Sequence, residues 1–244
     1  DLRPANADET GDQHPWSVGF HNIDFRDYRA MICRFPNEGG FLGPTALPTM
    51  RACLEGAGSP FHTAAGVQAS FAWETHENAV AYVGDQTHAD RALRFWLGKE
   101  PREMTLEEFT YWGGLLHGLA LEDYIRNFRR RMFDSAAAIF WMYNDVWPAT
   151  RSWTIVDYYG RRTPAFQPVR RAFQPLRAAL AVENGRVLVF GVNEGPAWSG
   201  ELHCGLAALA GGWPLEVRQD VSLPANASTL LAEFPLARWE ALGV

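Results

Sequence analysis

A glutamate followed by two glycines, in Pro36-Asn37-Glu38-Gly39-Gly40, is the first place where this chain is equipped for chemistry. A carboxylate on a turn, with glycines that let the backbone swing away, can project into a cavity. If it faces a sugar, it can attack the anomeric carbon and form a covalent glycosyl-enzyme. Taken alone, the local sequence favours an ordinary solvated turn, because loops rich in Asn and Gly are common. A second candidate is Asn144-Asp145, set between Trp141 and Trp147. Indole faces stack on sugar C–H surfaces, while amide and carboxylate groups read hydroxyls. An Asp that merely caps a loop fits the same residues equally well. His14 and Trp16, in Gly11-Asp12-Gln13-His14-Pro15-Trp16, form a third and weaker candidate, since a lone His in a polar loop is usually a surface residue.

These residues need elements to hold them. Tyr28 to Phe35 is a short apolar run ending in the glycine turn, which predicts a strand that delivers Glu38. Ala136 to Tyr143 is an apolar run of strand length that delivers the Trp-flanked pair. The spacing of Leu47, Met50 and Leu54 predicts a helix over residues 45–55, closed by Gly56. A long helix is predicted from Leu106 to Phe133, with Arg129, Arg130 and Arg131 in its last turn, where cations complement the dipole. A further helix is predicted from Ala165 to Leu180. Strand, helices, strand, helix is the order of the last βα units of a parallel barrel, whose strand ends carry the chemistry. After Glu183-Asn184-Gly185 the pattern changes to short strands at 186–192, 200–204, 215–219 and 229–234, as in part of an antiparallel sandwich. The expected organisation is α/β plus β. Residues 1–183 form the C-terminal portion of a (β/α)8 TIM barrel. Residues 184–244 form part of an immunoglobulin-like β-sandwich that is too small to be complete.

Composition narrows the classes. A net charge of −6 over 244 residues argues against a phosphate-coating nucleic-acid binder. Basic residues are almost all Arg, with Lys99 the single lysine. Cys33, Cys53 and Cys204 are odd in number and lack metal-ligand spacing, so neither a disulfide framework nor a zinc knuckle is expected. Unpaired cysteines lean toward a reducing compartment. No HExxH motif or other metal site is legible, and no cofactor is expected. No apolar run approaches the roughly 20 residues that span a bilayer, so no membrane partner is expected. The chain starts at Asp1 rather than Met, so it says nothing about a leader.

Three motifs, in order, resemble the C-terminal part of glycoside hydrolase family 2 enzymes of the β-mannosidase type. Gly11-Asp12-Gln13-His14-Pro15-Trp16-Ser17-Val18 looks like the loop of the seventh barrel strand, and Arg34-Phe35-Pro36-Asn37-Glu38-Gly39-Gly40 matches the strand bearing that family's nucleophile. Phe140-Trp141-Met142-Tyr143-Asn144-Asp145-Val146-Trp147-Pro148, with Ser152-Trp153-Thr154-Ile155-Val156-Asp157, resembles the eighth strand and its loop. The likeness continues through Arg170-Arg171-Ala172-Phe173-Gln174-Pro175 and is weakest between Phe61 and Glu100 and after Gly200. It implies that Glu38 is the nucleophile and that Trp141, Asn144 and Asp145 line the subsite of the scissile sugar, joined by His14, Trp16 and Trp147. One departure is Asn37-Glu38-Gly39, where the family has Ser-Glu and then an aromatic residue before glycine. It bears on the width of the pocket and on substrate preference.

Retaining hydrolysis needs two carboxyl groups about 5 Å apart. The family's acid/base glutamate follows an asparagine on the fourth strand, and no such strand precedes Glu38. Asn193-Glu194 lies in the sandwich and cannot serve. The expectation is therefore a fragment, inactive alone, whose partners are a β-linked mannoside or related oligosaccharide and the missing N-terminal part of the same polypeptide. An exo-β-glucosaminidase or β-galactosidase-like enzyme is the alternative within the fold. A non-catalytic carbohydrate-binding module is the alternative from another class.

Overall fold

In a computed structural model the described residues are 6–8, 11–54, 71–77 and 88–242. The first part opens with two very short strands, β1 (Asp12–Gln13) and β2 (Phe35–Pro36), paired in parallel with Asp12 opposite Phe35 and Gln13 opposite Pro36. The strand expected over 28–35 is therefore mostly something else. Phe25–Ala30 is a 3-10 helix whose N-cap, Asp24, accepts from the Arg26 amide at 3.1 Å. Its buried residues are Phe25 and Tyr28, a spacing of three that belongs to one helical face and not to a pleat.

Beyond Pro36 come β3 (Gly43–Pro44), which pairs antiparallel with β4 (Arg151–Ser152), and helix α1 (Leu47–Leu54). The expected stop at Gly56 lies outside the described residues. Two further helices, α2 (Phe71–Thr75) and α3 (His88–Leu97), precede the long α4 (Leu106–Arg129). Thr105 caps α4 reciprocally: its hydroxyl accepts from the Glu108 amide at 3.1 Å, and the Glu108 carboxylate accepts from the Thr105 amide at 2.9 Å. Phe109, Leu116, Leu121, Tyr124, Ile125 and Phe128 bury the core face of this helix. Gly114 and Gly118, one turn apart, lie so close to Pro164 and Pro168 that a methyl group would not fit.

The run 136–143 forms no assigned strand. It lies extended beside 34–39: the Ala136 amide donates to the Arg34 carbonyl (2.8 Å), Ile139 to Pro36 (3.1 Å) and Trp141 to Gly39 (2.7 Å). Both numbers rise together, so this segment runs parallel to the β2 segment, with an irregularity that breaks the ladder.

Helix α5 (Phe166–Ala172) is shorter than the expected 165–180. Pro175 lacks the amide that would continue it. Leu176–Glu183 is instead β5, whose inward residues Ala179 and Ala181 alternate with exposed ones. The apolar run misled because alanine and leucine suit both periods. The β-rich part thus begins at Leu176, ahead of the expected boundary after Glu183. β5 pairs antiparallel with β6 (Arg186–Asn193), and β6 with β9 (Ala227–Pro235); β7 (Trp198–Leu206) and β8 (Leu215–Leu223) form a second antiparallel pair. The two sheets meet where Gly191 lies against Leu223, and where the Gln219 side chain donates to the Leu231 carbonyl at 2.8 Å. Arg130 and Arg131 at the end of α4 reach Glu183 at 2.5 and 3.2 Å, and Arg129 reaches Glu194 at 2.9 Å. These arginines couple the helical part to the sheets, beyond complementing the helix dipole.

Among the described residues, no helix is long and apolar enough to cross a membrane, and no group of three or more His, Cys, Asp or Glu could hold a metal ion.

Candidate active site

The site grows from the parallel pair. Gln13 is buried and spans both strands: its carbonyl accepts from the Asn37 amide at 3.2 Å, and its side-chain oxygen accepts from the Arg34 amide at 2.5 Å. That clamp fixes the register in which His14 and Trp16 leave one strand beside Glu38 leaving the other. The imidazole Nδ1 of His14 lies 2.8 Å from Glu38 Oε2, and the Trp16 indole donates to the same oxygen at 3.0 Å. A carboxylate only accepts, so this contact is attractive when His14 carries a proton on Nδ1. Nε2 of His14 faces Asp12 Oδ1 at 3.9 Å. Among the described residues, Glu38 Oε1 has no partner, and the carboxylate is about a quarter exposed.

Support comes from behind. Trp16 packs edge-on against Phe20 and Trp153, at centroid distances of 4.7 and 6.2 Å. Two buried tyrosines hold the flanking backbones: Tyr28 donates to the Gly40 carbonyl (2.9 Å) and Tyr124 to the Ile139 carbonyl (2.7 Å). Burial pushes both phenols far above the usual tyrosine range, so they stay neutral donors. The glycines after Glu38 are needed for space. A β-carbon on Gly39 would meet the Tyr124 ring at 2.7 Å, and one on Gly40 would meet the Trp141 carbonyl at 2.2 Å. The room for an aromatic residue at position 39 is thus already occupied by Tyr124.

Because Trp141 is tied to Gly39, His14, Glu38 and Trp141 lie at the same end of three parallel segments. Trp141 is 43% exposed, as an indole that meets a ligand must be. Asn144 is exposed too, with its amide donating to the Asp145 carbonyl at 3.2 Å. Asp145 occupies a different place from the one expected. It is buried, and its two oxygens accept from the Ser152 and Thr154 hydroxyls, both at 2.7 Å. Burial raises its carboxyl above the usual range, the hydroxyls oppose that, and the nearby Asp157 adds to it. Asp145 therefore braces the loop. Trp147 is half exposed, with one face stacked on His76 at 5.5 Å; the His76 Nδ1 lies 2.5 Å from the Pro148 carbonyl. Under that loop Arg151 meets Glu77 at 2.7 Å and Asp90 at 3.5 Å, all buried.

Reasoning from sequence missed Gln13, Phe20, Tyr28, Tyr124 and Trp153. Gln13 and Trp153 stand inside the motifs that carry the resemblance, but nothing local to them marks a role in the site. The others depend on chain crossings that local patterns do not encode.

No family model matches the chain. It is 30% identical over 176 residues to "Beta-mannosidase B" of Thermothelomyces thermophilus, an alignment covering 68% of this chain and 19% of that protein. Against "Beta-mannosidase B" of Aspergillus flavus it is 26% identical over 180 residues, 71% of this chain and 20% of the relative. The solved β-D-mannosidase of Dictyoglomus thermophilum superposes with a TM-score of 0.82 at 30% identity, over 95% of this chain and 27% of that one. The Amycolatopsis orientalis exo-chitosanase CsxA superposes at 0.54 with 15% identity, over 93% and 26%, a likeness of fold alone. The chain spans about a fifth of the length of the curated relatives it matches. These matches define a class: the chain resembles glycoside hydrolases of family 2. Within that class, the likeness is to the C-terminal part of the β-mannosidase type.

Proposed function

We propose that this chain is the nucleophile-bearing C-terminal part of a retaining exo-β-glycosidase that removes terminal β-D-mannose. The observation that carries the reading is Glu38, held at one oxygen by His14 and Trp16 where two parallel strands end. In this reading the segments 12–13, 34–39 and 136–141 are the last strands of a (β/α)8 barrel. The sheets from Leu176 onward are part of an immunoglobulin-like sandwich. Glu38 attacks the anomeric carbon while an acid/base carboxyl from the N-terminal part of the polypeptide protonates the departing oxygen. Water then releases the sugar with that carboxyl acting as base. Trp141 supplies a stacking face for the sugar, and Asn144 offers its amide to a hydroxyl. Trp147 extends the aromatic surface, and Asp145 fixes the loop that carries them. The chemistry calls for no metal or organic cofactor.

The test uses the longer polypeptide that supplies the remaining strands. It is expected to release nitrophenol from 4-nitrophenyl β-D-mannoside and to form β-mannose first. Glu38→Gln is expected to lower kcat at least about a thousandfold, roughly 4 kcal/mol of barrier. An α-anomer formed first would overturn retention. Turnover of a β-glucosaminide in place of the mannoside would reassign the sugar within the family. Oligosaccharide binding without turnover, unchanged in Glu38→Gln, would leave a binding module.

A further inference from the structure

The two side chains that reach Glu38, the Trp16 indole and the His14 imidazole, meet the same atom. His14 Nδ1 and Trp16 Nε1 converge on Oε2, at 2.8 and 3.0 Å, while Oε1 meets no described residue. The two differ in how they are held. Trp16 is wedged between Phe20 and Trp153, so its indole N–H is fixed in direction. His14 stands on the more open side, 45% exposed, with its other nitrogen toward Asp12. Its backbone follows directly on Gln13, which is locked to Arg34 and Asn37 of the partner strand. With the Trp16 hydrogen bond and the His14 contact converging on Oε2, turning the carboxylate about its Cγ–Cδ bond disrupts both.

We infer that His14 is a positioning residue rather than a sugar ligand: with Trp16 it pins Glu38 Oε2, so that Oε1 is the oxygen presented for attack. The inference rests on the reading of Glu38 as nucleophile and adds which atom attacks and what aims it. A hydrogen bond to the spectator oxygen also withdraws charge from the carboxylate. His14 therefore trades some nucleophilicity for orientation, and orientation dominates when a misplacement near 1 Å costs about a hundredfold in rate. After attack, Oε1 carries the glycosyl bond and Oε2 becomes the ester carbonyl oxygen. The same two N–H groups then polarise that carbonyl, which favours loss of the ester oxygen when water attacks the sugar carbon.

Two experiments separate this from failure of the underlying reading. On the chain as it stands, long-range 1H–15N spectra of labelled histidines, at a pH where the imidazole is neutral, are expected to show His14 as the Nδ1–H tautomer. Glu38→Ala is expected to shift that signal. A neutral His14 protonated at Nε2, or one indifferent to Glu38→Ala, overturns the contact whatever the chain's activity. In the longer polypeptide, azide is expected to restore turnover to Glu38→Ala with inverted product, which establishes the nucleophile independently. With that established, His14→Ala is expected to lose about a hundredfold in kcat with KM changed by less than about threefold. His14→Gln, which retains an N–H donor, should recover part of the loss. A rise in KM with kcat intact would make His14 a sugar ligand and overturn the proposal, as would full activity in His14→Ala. Azide failing to restore Glu38→Ala while the tautomer result holds would overturn the nucleophile reading and leave the His14–Glu38 contact standing.

Discussion

At the scale of single residues, the contrast between Glu38 and Asp145 shows how two acidic candidates with similar surroundings take opposite roles. Both sit next to tryptophans on loops that follow extended segments. Among the described residues Glu38 keeps one oxygen without a partner; Asp145 engages Ser152 and Thr154 with its two oxygens and is buried. Because burial raises the Asp145 carboxyl, the folded protein binds a proton there more readily than the unfolded chain does. Its contribution to stability therefore grows as pH falls through the raised folded value down to the ordinary 3.8, and is constant above that window. Asp145→Asn keeps hydrogen-bonding groups for both hydroxyls and removes the cost of a buried charge. It is expected to match wild type near pH 7 and to fall behind as pH approaches 4, in urea titrations at several pH values. Asp145→Ala removes the acceptor that the Ser152 and Thr154 hydroxyls share and is expected to cost about 2–3 kcal/mol at every pH. An alanine variant as stable as wild type would mean that the loop is held by its backbone alone. The Trp-flanked Asn-Asp was legible in the sequence as a special loop. Which of its polar groups points outward was not, because that depends on Ser152 and Thr154, whose hydroxyls reach Asp145 from the segment beyond the loop.

Among elements, the long helix was the most legible, since its apolar spacing is local. The segments that carry the candidate site were the least legible. β1 and β2 are two residues each, and 136–141 pairs without a regular ladder. Their conformation is imposed by neighbours: Gln13 clamps the first pair, and Tyr28 and Tyr124 anchor the backbones from the core. The helix also hides a titratable group that its pattern did not flag. His117 is fully buried against Gly43, and burial pushes its imidazole down to about 3, opposed by the nearby Trp153 backbone. The unfolded chain protonates this group near 6.5 while the folded one does not. Stability is thus complete above about pH 6.5 and is lost progressively as pH falls toward 3. At pH 5 the loss is about 2 kcal/mol. His117→Phe, of similar ring size, is expected to flatten the acid limb of a stability–pH profile between pH 6.5 and 5. An unchanged slope would show that other groups set it. At the same helix's start, Thr105→Ala is expected to cost about 1 kcal/mol through loss of the cap.

For the molecule as a whole, the question is how the helical part and the sheets stay registered when the site belongs to only one of them. The answer lies in the three arginines at the end of α4. Arg130 is nearly sealed from solvent, reaches Glu183 at the end of β5 and lies over the Phe190 ring at 5.4 Å. Its carbonyl accepts from the Ser228 hydroxyl at 2.7 Å. Arg129 binds Glu194 and also donates to the Ala172 carbonyl at the end of α5. Glu122, buried further back on α4, gathers Arg126, Arg171 and Arg177, and so joins α4 to α5 and β5. Charges this deep contribute little net stability compared with apolar packing, but removing one partner strands the other. Arg130→Ala is expected to cost about 2–3 kcal/mol, less than a fully buried pair because Glu183 remains a third exposed. The coupling between Arg130→Ala and Glu183→Ala is expected to be about 1 kcal/mol in a double-mutant cycle. Calorimetry gives the test at this scale. If these anchors make one cooperative unit, wild type unfolds in a single transition. Removing Arg129 and Arg130 together then separates the sheets from the helical part into two. A double variant that still melts in one transition, with its midpoint unchanged, would place the coupling in the apolar contacts around Phe128 and Ala172 and leave the arginines incidental.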